Sequence, residues 1–248
     1  MPASKSIGKL FWKETEYGRQ VSRPKGPTSL PPLSVPASHV PRIALPRPEA
    51  VALEDSDFRR LVVQRRSLRQ YADTPYRLEE LAWLCFATQG MVNPEERKYR
   101  TVPSAGARHA FETYLSVTAV EGVARGVYRY LPGEHALVRY DNIAVSHDAF
   151  APALVAACLD QPFAGEGACC FIWSAVAERM TSRYGDRGYR YLCMDAGHVC
   201  QNLYLACESI GAGCCAIAAY DDGACNQLLG LDGENEFVIY LAATGKKR

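Results

Sequence analysis

The most informative segment of the chain is YRYLCMDAGHVCQNLYLACESIGAGCCAIAAYDD, residues 189–222. Apolar residues recur at helical spacing up to Gly211, which predicts one long helix with a left-handed glycine cap, followed by a short apolar strand, CCAIAAY. Gly211, Gly213 and Ala216 match the dinucleotide-binding pattern G-x-G-x-x-A. That pattern must follow a strand and open a helix, because the helix N-terminus holds the pyrophosphate. Here the order is reversed, which argues against a Rossmann site.

Helical and strand patterns flank this segment on both sides. The helical patterns are SDFRRLVVQRRS, capped at Ser56 with Phe58, Leu61 and Val62 on one face; RLEELAWLCFATQG, closed by Gly90; and DDGACNQLLGL, capped by Asp221 or Asp222. The strand patterns are ETYLSVTAV, with one wetter face; GVYRYLPGEHALVRY, a hairpin turning at Pro132-Gly133; ACCFIWSAVA; and EFVIYLAATG. Together they predict an α+β fold in which helices flank a mostly antiparallel central sheet.

Composition limits the function classes. The 248 residues carry a net charge of +1, so there is no electrostatic case for a nucleic acid or an anionic membrane as partner. The first residues lack the apolar core of a secretory signal, and the apolar runs are too short to span a bilayer. We therefore expect a cytoplasmic protein that binds neither a nucleic acid nor a membrane.

The first 50 residues differ from the rest of the chain. Nine of the 15 prolines lie in the first 48 residues, with little periodicity between them. Residues 1–50 are therefore predicted to form an extended proline-rich arm that lies on a surface or wraps a partner subunit. Residues 51–248 are predicted to form the folded domain.

The cysteines and the acidic residues do not predict a metal site. The ten cysteines include no CxxC motif, and Cys193, Cys200 and Cys207 recur every seven residues on one helix face, as small buried thiols do. Asp195 and His198 have the spacing of a ligand pair, but no third ligand accompanies them. We expect no metal.

Three separated stretches carry candidate binding chemistry. The first stretch contains guanidinium groups beside a hydroxyl, at Arg65, Arg66, Ser67 and Arg69. A phosphate binds such donors, although a solvated basic helix end has the same composition. Small loop residues let a flat ring approach the backbone, although an ordinary turn also uses them: Pro103, Ser104, Ala105, Gly106 and Ala107. A strand of small residues offers backbone N–H groups to a planar heterocycle, or belongs to a buried sheet core: Cys215, Ala216, Ile217, Ala218 and Ala219.

In this order, the three stretches resemble the nitroreductase-like FMN-dependent superfamily, and specifically its SagB-type (thiazole/oxazole dehydrogenase-like) branch. The resemblance runs from about Arg65 to the C-terminus. It includes R-R-S-x-R, P-S-A-G-A before a strand with Glu112 and Tyr114, GVYRY, the stretch from Tyr184 to Asp222, and the closing YLAATGK.

The resemblance implies a nitroreductase-like fold, a bound FMN, and a homodimer with its active sites at the interface. By resemblance, the phosphate, ribityl chain and pyrimidine edge are held by Arg65, Arg66, Ser67 and Arg69. The loop Pro103, Ser104, Ala105 and Gly106 would lie along the ring from the other subunit. The backbone of Ala218 and Ala219, in one run with Cys215 and Ile217, would approach flavin N5. Lys246 and Arg248 would add phosphate cations, or belong to a frayed basic terminus.

The chain departs from the family pattern at two places. Ring-oxidising members of the branch carry a Lys-Tyr pair where this chain has Arg183-Tyr184, and an arginine cannot act as a base. Tyr184 remains the candidate catalytic residue, as a proton donor or a pocket wall. Many relatives carry an apolar and an aromatic residue where this chain has Arg108 and His109. These two residues put a cation near the flavin or the substrate and favour an anionic or polar acceptor.

The sequence therefore predicts an FMN-dependent oxidoreductase that transfers hydride from NAD(P)H through FMN to a small acceptor. Two alternatives stay open. One is an FMN-dependent dehydrogenase that oxidises a heterocyclic or peptide-derived substrate, and the other is a non-enzymatic flavin-binding module.

Overall fold

A seven-stranded sheet organises the chain in a computed structural model that describes residues 6–19, 39–93, 95–96 and 99–248. The strands are β1 (Arg42–Ala44), β2 (Phe111–Val117), β3 (Gly126–Leu131), β4 (Ala136–Arg139), β5 (Cys169–Val176), β6 (Ala212–Ile217) and β7 (Glu236–Lys246). Their order across the sheet is β1-β4-β3-β2-β5-β7-β6, and each adjacent pair is antiparallel. The predicted hairpin connects β3 to β4. The predicted α+β architecture with an antiparallel sheet is confirmed.

Helices cover the sheet on both sides. Within the described ranges they are α1 (Ile7–Glu14), α2 (Phe58–Gln64), α3 (Leu78–Gln89), α4 (His147–Ala157), α5 (Phe163–Glu166), α6 (Ala177–Tyr184), α7 (Gly188–Ser209) and α8 (Asp222–Leu228). The sequence patterns did not predict α4, which contains Pro152, or α6, in which most residues are polar. Helix α6 matters for the site, because it leads from β5 into α7.

The segment that connects α7 to β6 has the predicted geometry. Helix α7 is 22 residues long and ends at Ser209. Gly211 follows with a φ of 64°, the left-handed conformation that glycine adopts without a steric penalty, and β6 begins at Ala212. The left-handed cap is confirmed. The glycines end a helix and precede a strand, which is the wrong order for a dinucleotide fingerprint.

Two apolar cores lie on opposite faces of the sheet. Phe171 and Trp173 of β5 belong to the core beneath α3 and α7, whereas Cys170 and Ile172 belong to the core beneath α4, α5 and α8. All seven residues of β2 are likewise buried. The prediction of a wetter face for ETYLSVTAV is therefore wrong, because helices cover both sides of this central strand. Glu112 is among the polar groups buried there.

Helix α2 buries less of its apolar face than its spacing predicts. Leu61 is buried, but Phe58 is 69% exposed and Val62 is 46% exposed. The helix is also capped one residue later than expected, since Asp57 Oδ1 accepts a hydrogen bond from the Arg60 N–H at 3.1 Å. At α8 the cap is Asp221, one of the two predicted candidates, which accepts from the Ala224 N–H at 2.8 Å.

The N-terminal segment contributes two regular elements. Helix α1 lies against the start of α7, where the Arg190 guanidinium carbon is 3.7 Å from the centroid of the Trp12 ring and Arg190 Nε donates to Thr15 Oγ1 at 2.5 Å. Strand β1 pairs with β4 at one sheet edge. Residues 20–38, which hold most prolines of the predicted arm, lie outside the described residues, and the boundary at residue 50 stays a prediction. No helix in the described ranges is long and apolar enough to cross a membrane.

Candidate functional site

The basic stretch after α2 lies along the edge strand β6. Ser67 forms a parallel bridge with Cys214, and the Leu68 N–H donates to the Cys214 carbonyl at 2.9 Å. Because β6 is the last strand of the sheet, its outer edge is open to this pairing. Two of the three stretches predicted to bind the cofactor therefore meet in one chain. We call Arg65–Arg69 together with residues 214–219 the basic edge.

Tyr204 of α7 holds the basic edge together. Its hydroxyl lies 3.0 Å from Ser67 Oγ and accepts from the Ala216 N–H at 2.9 Å. The Arg65 guanidinium carbon lies 5.1 Å from the centroid of the Tyr204 ring. Burial raises the pKa of Tyr204, so the phenol stays protonated near neutral pH. One side chain thus positions the backbone of β6, the Ser67 hydroxyl and a cation.

The cations of the basic edge lack acidic partners. Within the described part of the chain, no carboxylate lies within 4.0 Å of the guanidinium groups of Arg65, Arg66 or Arg69. Arg66 Nη1 donates to the carbonyls of Val63 and Arg65, each at 2.8 Å, and Arg69 lies 5.6 Å from the centroid of the Phe163 ring. Three neighbouring positive charges without a carboxylate form a site that favours an anion.

Beyond Ile217 the chain leaves the sheet and becomes exposed. The last register pair of β6 with β7 is Ile217 with Leu241, and Ala218 and Ala219 follow as exposed residues. The Ala219 carbonyl accepts from Gln161 Nε2 at 2.8 Å, which holds this turn. The side chains of Cys215 and Ile217 are buried in the core. Only the main chain of these two residues can reach a ligand, whereas Ala218 and Ala219 present backbone and methyl groups to solvent.

The loop of small residues is anchored on α7. Ser104 Oγ donates to Asp195 Oδ2 at 2.5 Å, and the Ala105 N–H donates to Asp195 Oδ1 at 3.3 Å. Ser104 Oγ in turn accepts from the His109 N–H at 2.9 Å. Burial raises the pKa of Asp195, and the two hydrogen bonds oppose that shift. Asp195, a candidate metal ligand by spacing alone, therefore acts as a loop anchor.

Gly106 brings the loop against the end of α6. It has a φ of 59°, and a Cβ at this position would collide with Tyr184 Oη and lie 3.2 Å from Arg183 Nε. Ala107 and His109 also have positive φ, at 54° and 44°, a conformation that non-glycine residues rarely adopt. We call residues 103–109 with Arg183 and Tyr184 the loop cluster.

Arg108 supports the loop cluster from below. It is 3% exposed, and its guanidinium donates to the Arg179 carbonyl at 2.7 Å and to Ser182 Oγ at 3.1 Å. Burial lowers the pKa of Arg108, and the nearby Arg183 lowers it further. In this chain the side chain of Arg108 binds α6, and its predicted contact with a cofactor stays a prediction.

A buried ion network supports α6 from the sheet. Glu112 of β2 accepts from Arg129 Nη2 at 2.6 Å and from Arg179 Nη2 at 2.5 Å. Burial alone would lower the pKa of Arg129, but the charge and hydrogen bonds of Glu112 outweigh it and raise that pKa. The network ties strands β2 and β3 to α6, the helix that carries Arg183 and Tyr184.

The two predicted cations near the C-terminus already have partners. Lys246 Nζ donates to Glu80 Oε1 at 2.8 Å and to the Ile210 carbonyl at 2.7 Å. Arg248 Nε donates to the Tyr71 carbonyl at 2.9 Å. These contacts tie the end of β7 to α3 and to the segment after the basic edge. Binding of a phosphate by Lys246 or Arg248 stays a prediction.

In one chain the loop cluster lies apart from the basic edge. Ser104 is anchored at Asp195 and Ser67 at Tyr204, nine residues further along α7, or about 13 Å at the helical rise. Across the sheet, Ile217 pairs with Leu241, Leu241 with Ile172, and Ile172 with Tyr114 of β2, the strand that follows residues 103–109. Ile217 and Tyr114 are therefore three strand spacings apart, or about 14 Å. The third predicted stretch therefore does not meet the other two within this chain.

Several residues that build the site were not predicted from sequence. Tyr204 lies on the same helical stripe as Cys200 and Cys207, and its position four residues after Cys200 was the available signal. Phe163 and Gln161 come from the loop after α4 and the start of α5, which no pattern predicted. No group of three or more His, Cys, Asp or Glu residues that could hold a metal occurs in the described ranges.

Comparison of the chain with known proteins shows the family to which it belongs. The family model "Nitroreductase family" matches residues 62–246. A protein of Methanocaldococcus jannaschii, MJ1384, provisionally named a nitroreductase, is 38% identical over 83% of this chain and 96% of its own length. The trifolitoxin-processing protein TfxB of Rhizobium leguminosarum bv. trifolii is 32% identical over 50% of this chain and 33% of its own length.

Solved structures share the fold. A crystal structure assigned to the nitroreductases from Anabaena variabilis superposes with a TM-score of 0.68 at 28% identity, over 84% of this chain and 42% of that one. A chain of the Escherichia coli microcin synthetase McbBCD complex superposes with a TM-score of 0.62 at 20% identity, over 90% of this chain and 89% of that one. A protein from Desulfovibrio desulfuricans in complex with FMN superposes with a TM-score of 0.53 at 15% identity, over 78% of this chain and 87% of that one. The relation to TfxB agrees with the predicted SagB-type branch, and the McbBCD chain shows the shared fold. By the family match and by the M. jannaschii relative, this chain is a member of the nitroreductase family.

Proposed function

We propose that this protein is an FMN-dependent oxidoreductase that transfers hydride from NAD(P)H to a small acceptor. The observation that carries the proposal is the basic edge: three guanidinium groups with no carboxylate partner among the described residues, next to the exposed residues Ser67, Ala218 and Ala219. This donor set fits a flavin mononucleotide, which has a phosphoester, a polyhydroxyl chain and a flat ring. The FMN bound in the D. desulfuricans neighbour supports the choice of cofactor.

The residues of the basic edge would divide the binding work. Arg65 and Arg66 would bind the phosphate through charge-assisted hydrogen bonds, with Ser67 as an additional donor. Arg69, which lies over the Phe163 ring, would favour negative charge on the pyrimidine side of the ring. FMN held by these residues would supply the chemistry of hydride transfer between the nicotinamide and the second substrate. The protein's contribution would be to orient the ring and to place cations beside it.

The loop cluster would complete the site across a dimer interface. It lies about 13 Å along α7 from the basic edge of its own chain, so a second copy could place its loop cluster against the first copy's basic edge. Tyr184 Oη, which lies at Gly106, would then face the substrate side and could donate a proton to a reduced acceptor. An arginine at position 183 does not supply the base that a lysine could, so the arrangement favours reduction of an acceptor over base-assisted oxidation of a ring.

The first experiment measures cofactor binding and its reduction. Purified protein is titrated with FMN, and flavin fluorescence gives the dissociation constant for the unmodified chain and for Arg66→Gln. We expect at least a tenfold weaker binding in the variant, since a charge-assisted hydrogen bond contributes about 1.5–3 kcal/mol. Arg59→Gln, which removes an exposed cation of α2 outside the basic edge, serves as the matched control.

The second experiment decides between the proposed function and its alternatives. The FMN-loaded protein is mixed anaerobically with NADH or NADPH, and absorbance near the flavin maximum is followed in a stopped-flow instrument. Rapid bleaching supports an NAD(P)H oxidoreductase. A flavin that binds but is bleached by neither nicotinamide contradicts this function and favours a binding module. Turnover of a cyclised peptide substrate without NAD(P)H would favour the dehydrogenase.

A further inference from the structure

Arg183 is a cation in the loop cluster without a partner in the described residues. It is exposed, no carboxylate lies within 4.0 Å of its guanidinium, and its nitrogens make no hydrogen bond there. Its guanidinium carbon lies 5.6 Å from the centroid of the Tyr184 ring. On the other side it borders Gly106, since a Cβ at that glycine would lie 3.2 Å from Arg183 Nε. Two neighbours thus position a side chain that has no counter-ion.

Two charged groups near Arg183 are already bound to other residues. Arg108 lies close enough beneath Arg183 for the two guanidinium groups to repel, and it is committed to the Arg179 carbonyl and Ser182. Glu112, a buried carboxylate at this end of the sheet, is already bound by Arg129 and Arg179. The guanidinium of Arg183 is therefore available to a negatively charged group that arrives from solvent.

We propose that Arg183 binds an anionic substituent of the second substrate, of the carboxylate class. This inference rests on the proposed function and adds the substrate class to it. A guanidinium presents a planar fork of donors that matches a carboxylate in two parallel hydrogen bonds, and stacking on Tyr184 lowers the entropy lost when the side chain is ordered. The flat face of an aromatic acid would lie beside the Tyr184 ring and the small residues of the loop. The sequence assigned the cation near the substrate to Arg108, but that side chain is buried and Arg183 is the exposed one.

The kinetic test compares two substrates of the same shape and different charge. The acceptors are 4-nitrobenzoate and 4-nitrobenzamide, and the readout is the ratio of their kcat/KM values with a saturating nicotinamide. We expect this ratio to fall about tenfold in Arg183→Gln and to fall less in Arg183→Lys, which keeps the charge but loses the fork. The loss should shrink in 0.5 M salt, because exposed charges are screened.

Arg125→Gln is the matched control. Arg125 is also exposed, but it precedes β3 at the end of the sheet where Gly126 pairs with Val117. Phe111, which follows the loop cluster, is six residues along β2 from Val117, or about 20 Å. The charge ratio should be unchanged in this variant. An equal fall in both variants would mean that net charge, and not contact with Arg183, sets the preference, and the proposal would be overturned.

A binding measurement decides the proposal independently of turnover. Benzoate and benzamide, which are not reduced, are titrated into the oxidised FMN-loaded protein in a calorimeter. We expect benzoate to bind more tightly than benzamide, and this preference to fall about tenfold in Arg183→Gln. No preference in the unmodified protein, or the same preference in the variant, overturns the proposal. Failure of NAD(P)H to bleach the flavin would overturn the proposed function instead, and the calorimetric result would still stand.

Discussion

The buried network around Glu112 gives the sharpest stability prediction. The side chains of Glu112, Arg129 and Arg179 are 8%, 9% and 8% exposed, and the carboxylate binds the two guanidinium groups at 2.6 and 2.5 Å. Glu112→Gln preserves the shape but removes the carboxylate charge that both buried guanidinium groups bind. Breaking a buried ion pair in this way costs about 3–5 kcal/mol, because the remaining charge keeps its desolvation penalty. We expect the free energy of unfolding to fall by that amount.

Urea unfolding, followed by tryptophan fluorescence, measures the effect. The matched control is Glu134→Gln, which removes an ion pair with Arg42 at a similar distance of 3.0 Å but with 41% of the Glu134 side chain exposed. An exposed pair of this kind contributes about 0–1 kcal/mol. Both substitutions remove one negative charge, so the difference between them measures the combined effect of burial and of the second guanidinium group that Glu112 binds.

Two outcomes would refute this reasoning about Glu112. One is an equal shift of the urea midpoint in both variants, with unchanged dependence on urea concentration, which would mean that burial does not amplify the pair. The other is a stabilised Glu112→Gln protein. Replacing all three members of the network by apolar residues is a further check, and it should cost less than Glu112→Gln alone, since no buried charge then remains.

Three further predictions follow from single contacts. Tyr204→Phe removes the hydroxyl that binds Ser67 and leaves the Ala216 N–H of β6 without its acceptor. FMN affinity measured by fluorescence titration should fall about fivefold to tenfold, and the free energy of unfolding should fall by about 1–2 kcal/mol. An unchanged affinity would show that Tyr204 does not contribute to the cofactor site. Gly106→Ala places a Cβ against Tyr184 Oη at a residue with positive φ, so turnover with NAD(P)H should fall at least tenfold while FMN stays bound. Normal turnover would show that the loop tolerates displacement. Hydrogen bonds from the Glu236 N–H, the Asn235 side chain and the Glu234 N–H hold the pKa of Asp232 at about 2, so the stabilisation by its carboxylate is present above pH 4 and is lost as the pH falls towards 2. The melting temperature of Asp232→Asn should therefore depend less on pH in that window, and parallel curves for the variant and the unmodified protein would contradict this.

The elements with strong local periodicity were predictable from the sequence. The 22 residues of α7, the glycine cap at Gly211 and the β3–β4 hairpin depend on side-chain spacing and turn chemistry, which are properties of short segments. The burial of β2 on both faces was not predictable in this way. Its polar residues alternate as on a half-exposed strand, and only the ion network of Glu112 and the helices on both sides explain why they are buried.

For the candidate site, residue types in the sequence indicated the chemistry, and packing determined the positions. The arginines near position 66 and the small residues near 105 and 218 could be identified as donors and as space for a ring. Their arrangement depends on contacts between distant segments: Ser67 meets Tyr204 across 137 positions, and Ser104 meets Asp195 across 91. The choice of Arg183 over Arg108 as the exposed cation also depends on burial, which no local pattern encodes. Side-chain identity is a property of the chain, whereas solvent exposure and charge pairing arise when segments far apart in sequence pack together.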